Sequence, residues 1–101
     1  MTEIRLVNQV SEKDFMRTIM DYATLRKWFT YHTFDSRRSA GGWPDIFAVR
    51  ADRAVALEVK SEKGKATPDQ VAWLSALDQV PGIEAHLVRP SDWDYIVGLL
   101  E

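Results

Sequence analysis

The sequence contains no cysteine, and its 101 residues include only two histidines, His32 and His86. Without thiols, disulfide scaffolds, thiolate zinc sites and cysteine nucleophiles are all excluded. Two isolated imidazoles also exclude a histidine-rich metal centre, so any metal must be held mainly by oxygen ligands. No apolar run approaches the roughly 20 residues needed to cross a bilayer. The opening MTEIRLVNQVSEKD lacks the apolar core of a signal peptide. These absences lead us to expect a soluble, intracellular, cytoplasmic protein with no membrane partner. Repeats, low-complexity tracts and long linkers are missing as well, and the length predicts one domain over residues 1–101.

What is present is globular in composition, with 46% hydrophobic and 28% charged residues. The net charge of −2 is unevenly spread. Residues 1–60 carry ten Lys/Arg and eight Asp/Glu, whereas residues 61–101 carry three and seven. A divalent cation bound to acids of the first part would make that surface more positive than the formula suggests.

The elements follow from their punctuation. Ser11 reads as an N-cap followed by first-turn acids, and Phe15, Ile19, Tyr22, Ala23 and Leu25 recur at helical spacing to about Arg26. Trp28 to Phe34 is aromatic and β-branched and predicts a strand. Asp35 to Gly42 is a polar loop. Asp45–Arg50 and Ala54–Lys60 predict two short strands joined through Ala51-Asp52. Thr67-Pro68-Asp69-Gln70 opens a second helix with an N-cap, a proline at N1 and a capping-box glutamine. Val71, Leu74 and Leu77 form its apolar stripe. Ile83 to Arg89 predicts a last strand, and Ser91 opens a closing helix with Trp93, Ile96, Val97 and Leu100 inward. The middle strands are apolar on both faces, Ile46, Ala48, Val55, Leu57 and Val59 on one and Phe47, Val49, Ala54 and Ala56 on the other. Both faces need cover, which predicts an α/β fold, a three-layer α/β/α sandwich around a mixed sheet.

The polar residues on those strands are the anomaly. A hairpin with a two-residue loop at Ala51-Asp52 places Asp45 directly opposite Glu58, with Cβ atoms about 4.5–5.5 Å apart. Lys60, two residues on, projects from the same face. Two carboxylates that close repel unless a cation lies between them. Mg2+ suits such a pair, since it takes oxygen ligands and is often held by one or two carboxylates together with a substrate phosphate. The neighbouring lysine can polarise a water or neutralise charge on a phosphorane-like transition state. Together they read as a site for phosphodiester hydrolysis.

Pro44-Asp45, followed after twelve residues by Glu58-Val59-Lys60, is similar to the PD-(D/E)xK nuclease signature. With its flanks GGWPDIFAV and ALEVKSEKGKATPDQVAWLSAL, the chain resembles the VRR-NUC branch, the virus-type replication-repair nucleases, from about Ser11 to its end. The resemblance implies a restriction-endonuclease-like fold and a nuclease that requires Mg2+, with Mn2+ as a substitute. It implies action on structured DNA such as Holliday junctions, a phage or prophage context and a homodimer. It further implies that Asp45, Glu58 and the Val59 carbonyl hold the metal, with Glu12 matching the superfamily's helical acid. Lys60 would orient the attacking water, which displaces a 3′-oxygen and leaves a 5′-phosphate. Gln70 would steady Lys60 or touch a phosphate.

Each residue also has a plainer reading. Lys60 can form an i,i+2 bridge with Glu58, Asp45 can shape a turn, Glu12 can serve the helix dipole, and Gln70 can be a cap alone. Arg37 and Arg38 in the glycine-ended loop, and Lys63 and Lys65 around Gly64, suit phosphate contact or are solvated charge. His32 and Trp43 are expected to pack, with substrate contact as the other possibility. Alternative functions are a nicking or end-processing nuclease, or a catalytically silent DNA-binding module. The second has no need for two adjacent carboxylates that repel phosphate.

Overall fold

The computed structural model describes residues 9–33 and 41–101. Helix α1 spans Glu12–Leu25, and Ser11 caps it by accepting a hydrogen bond from the Asp14 N–H at 3.1 Å. Strands β1 (Phe29–His32), β2 (Ile46–Arg50) and β3 (Arg53–Val59) follow. Helix α2 (Pro68–Asp78), strand β4 (Ile83–Val88), a 3-10 turn at Pro90–Asp92 and helix α3 (Trp93–Leu100) complete the order. The sheet runs β1-β2-β3-β4, antiparallel across its first two pairings and parallel at β3/β4. A parallel pair needs a crossover, and α2 supplies it. The result is a mixed sheet flanked by helices, as expected.

The two faces are covered unequally. On one face, Phe15, Ile19 and Ala23 of α1 and Ile96 and Leu100 of α3 close over Ile46, Ala48, Val55, Leu57, Val59 and Val88. Trp28 joins this core as its largest member. Its indole N–H donates to the Leu100 carbonyl at 2.8 Å, and the Arg50 guanidinium lies 4.4 Å from its ring centroid.

On the other face α2 packs against β4 and β3, yet none of its residues is buried. Val71, expected to point inward, is 54% exposed, because α2 touches the sheet along its Trp73–Leu77 side only. The β1 end of that face stays open, leaving Phe29 and Tyr31 exposed. Leu25 also departs from the expected stripe and is exposed. It occupies the last helical position, where Lys27 turns the chain away with a left-handed φ of 73°.

Candidate functional site

The β2–β3 hairpin brings the chemistry together. Its register pairs Ile46 with Leu57 and Arg50 with Arg53, which sets Asp45 across from Glu58 just beyond the last paired rung. Asp45 is tied to β3 by accepting the Val59 backbone N–H on Oδ2 at 2.8 Å. Its own carbonyl accepts the Thr33 N–H at 3.0 Å, continuing the β1 ladder. The aspartate is therefore fixed from both sides by backbone, more firmly than a turn residue would be.

Among the described residues Glu58 is the only charged side chain in the buried set, 2% exposed. Its Oε2 lies 3.5 Å from Lys60 Nζ, while its Oε1 is buried with no hydrogen-bond partner. Burial pushes the Glu58 carboxyl up to about 8, with the neighbouring Asp45 carboxylate adding to it. Lys60 pulls the other way and does not compensate. A salt bridge built for stability alone would satisfy both oxygens. Here one lone-pair-bearing oxygen is left open beside a second carboxylate, and that donor set fits a hard divalent cation.

Glu12 is not gathered with the pair. It is exposed in the first turn of α1, and among the described residues no three Asp, Glu or His side chains form a metal-holding group. By helical spacing Glu12 shares the side of α1 that carries Phe15 and Ile19, but it sits in the exposed first turn of the helix. Gln70 closes its capping box, its Oε1 accepting the Thr67 N–H at 2.9 Å and its own N–H donating to Thr67 Oγ1 at 3.2 Å. Lys63 and Lys65 are exposed on the loop between β3 and α2. Arg37 and Arg38 lie outside the described residues. Trp43 packs between Phe47, stacked at 5.8 Å, and Trp73, edge-on at 5.0 Å.

Two supports were not foreseen. Gly42, with φ +88°, presses on the start of α2 so closely that a Cβ there would meet the Asp69 carbonyl carbon at 2.5 Å. Trp73 reinforces the contact by donating its indole N–H to the Gly41 carbonyl at 3.1 Å. The loop leading into Asp45 is thus strapped to α2, and the glycine pair ahead of Trp43-Pro44-Asp45 was its sequence signal. At the other end of the site, Arg89 Nη1 donates to the carbonyls of Ser61 at 2.8 Å, Glu62 at 3.3 Å and Gly64 at 2.6 Å. This clamp orders the turn directly after Lys60. Its signal was weak: Arg89 is the one Lys or Arg after Lys65.

A mixed sheet between helices, with a carboxylate pair and a lysine at one end, is a restriction-endonuclease-like fold. The chain belongs to the VRR-NUC domain family, whose model matches residues 4–91. It is a nuclease-type, DNA-binding domain of a kind that typically uses divalent metals. No curated protein matches it. Among the described residues no helix is long and apolar enough to cross a membrane.

Proposed function

We propose that this protein is a Mg2+-dependent endodeoxyribonuclease acting on branched DNA, with Mn2+ able to replace Mg2+. The observation that carries the reading is the buried, open Oε1 of Glu58 beside Asp45, with Lys60 3.5 Å from the other oxygen. Asp45, Glu58 and the Val59 carbonyl are the proposed metal ligands, with Glu12 outside the set. The cation would neutralise charge at a phosphodiester and lower the pKa of a bound water. Lys60, held by Glu58, is the group placed to orient an attacking water. Gln70, its side chain held in the capping box with Thr67, is the proposed group that steadies Lys60 or touches a substrate phosphate. Lys63 and Lys65, together with Arg37 and Arg38, are the proposed phosphate contacts.

A homodimer in the bacterial cytoplasm, serving phage or prophage replication and repair, completes the proposal. Symmetric copies suit paired cuts in a four-way junction. The test uses labelled junction, flap and linear duplex with Mg2+, Mn2+ or EDTA, alongside Asp45→Ala, Glu58→Ala and Lys60→Ala. Junction cleavage with metal, lost in EDTA and reduced by orders of magnitude in each variant, is expected. Undiminished cutting in EDTA overturns the metal site. Cutting confined to nicked or linear ends would instead favour an end-processing nuclease.

A further inference from the structure

The sheet face that carries the carboxylate pair is only partly covered. Ile46, Leu57 and Val59 point into the core under α1 and α3, so by alternation Asp45, Glu58 and Lys60 project from the opposite face. Helix α2 lies on that face over β4 and β3, which leaves it open over β2 and β1. The open part is a row of apolar side chains. Tyr31 pairs with Phe47 and Phe29 with Val49, all four on the face of Asp45. Phe29 is 82% exposed and Tyr31 63%, whereas Phe47 is covered in part by the stacked Trp43.

The row leads away from the site. Thr33 stands across from Asp45, to whose carbonyl it donates its N–H. Tyr31 lies two residues back along β1, about 7 Å, and Phe29 about 7 Å beyond it. On this face a strand whose phosphate reaches Asp45 and Glu58 therefore has α2 on one side and these two rings on the other. The row of Phe29, Tyr31, Phe47 and Val49 carries no charge, so it matches the bases of a nucleotide chain and not its phosphates. We propose that Tyr31 and Phe29 stack on successive unpaired bases of the DNA beside the phosphate being cut. Along a duplex strand the bases follow each other at about 3.4 Å. Rings about 7 Å apart suit bases spread in an unwound strand instead. Every base has a π-face, so this platform takes unpaired DNA without reading its sequence. The inference rests on the nuclease reading and deepens it: an unpaired segment beside the cut is what would distinguish branched DNA from plain duplex.

The test reads binding in EDTA and is independent of cleavage. Fluorescence anisotropy of a labelled oligothymidine strand and of a linear duplex is followed with wild type, Tyr31→Ala, Phe29→Ala and Tyr31→Phe. Loss of one stacked base should weaken single-strand binding about tenfold in each alanine variant, with Tyr31→Phe close to wild type. The slope of log affinity against log salt should stay unchanged, because no phosphate contact is lost. Duplex binding should stay near the wild-type value. Both side chains are exposed, so the variants should fold, and their melting curves check it. Unchanged single-strand affinity, an equal loss on duplex, or a wild type that binds no single strand overturns the proposal. A wild-type dimer that either alanine variant converts to monomer, at unchanged single-strand affinity, overturns it too and assigns the face to a second copy. All of these outcomes leave the nuclease reading intact. Absence of metal-dependent cleavage in wild type, with the single-strand losses as expected, would strike the nuclease reading alone.

Discussion

At Glu58 a single buried carboxyl carries an instability into the fold, at the residue proposed to hold the metal. Its carboxyl, raised from 4.5 to about 8, keeps a proton in the folded state that the unfolded chain gives up. Folded protein therefore binds more protons between these values, and stability must fall as pH rises through that window. Below about 4.5 both states are protonated and the contribution is complete; above about 8 it is gone. Glu58→Gln removes the titration, so its melting temperature in EDTA should be flat across the window where wild type declines. Near pH 8 the variant should be the more stable by up to a few kcal/mol, because each tenfold change in proton affinity is worth about 1.4 kcal/mol. Adding Mg2+ should raise the wild-type melting temperature, by about 2.7 kcal/mol of stability at a hundredfold excess over Kd, and should not raise the variant's. Melting curves of both proteins from acid to mildly alkaline pH, with and without Mg2+, decide the matter. A variant less stable than wild type at every pH would mean that Glu58 is a structural ion-pair partner of Lys60.

At the scale of elements, the turns and caps carry opposite kinds of backbone requirement. Helix α1 ends with the Lys27 N–H donating to the Thr24 carbonyl and the Trp28 N–H to the Ala23 carbonyl, both at 3.0 Å. That pairing is a Schellman end, which favours glycine at the left-handed position, yet Lys27 occupies it with φ 73°. Lys27→Gly should raise stability by about 0.5–1 kcal/mol, since the strain at a left-handed lysine is removed. Gly42 shows the reverse. Gly42→Ala combines a left-handed φ with a contact of 2.5 Å to the backbone at Asp69, which no rotamer can relieve. It should be destabilising by about 1–3 kcal/mol. Because Gly42 leads into Pro44-Asp45, it should also depress cleavage more than an equally destabilising change in α3. Chemical denaturation of the two variants, with cleavage rates measured beside it, checks both signs.

Across the whole molecule, one tryptophan joins parts that are far apart in the chain. Trp28 follows α1 but donates to Leu100 at the end of α3, and its ring carries Arg50 and, at 5.2 Å, Arg53. Arg50 Nη1 in turn donates to the carbonyls of Arg26 at 2.8 Å and Glu101 at 3.1 Å, so the ends of both helices are served by one strand residue. A cation at two helix C-termini is electrostatically favourable. Trp28→Phe keeps an aromatic ring and loses the buried hydrogen bond, which should cost about 1 kcal/mol. Trp28→Ala leaves a cavity as well and should cost about 3–5 kcal/mol. Urea unfolding of the two variants separates the hydrogen bond from the packing. If both fell by the same small amount, Trp28 would not be the pin that joins the two helices.

Local chemistry was legible in the residues themselves. Ser11 and Thr67 cap where they were expected to, because a cap needs only the next three positions. The hairpin register followed from the two-residue loop and alternation, which together place Asp45 against Glu58. Those features depend on neighbours in sequence or on one short turn. Tertiary structure decided what depends on distant partners. Helix α2 follows a capping signal but lies shallowly on the sheet, so Val71 stays exposed. Glu12 begins a helix as read, yet tertiary packing gathers no third carboxylate with the pair among the described residues. The depth of Glu58, the press of Gly42 on Asp69 and the grip of Arg89 on Ser61 to Gly64 arise between segments that the chain separates by many residues. Spacing along a sequence specifies which side chains share a face, whereas burial and close approach are set only when whole elements pack against each other.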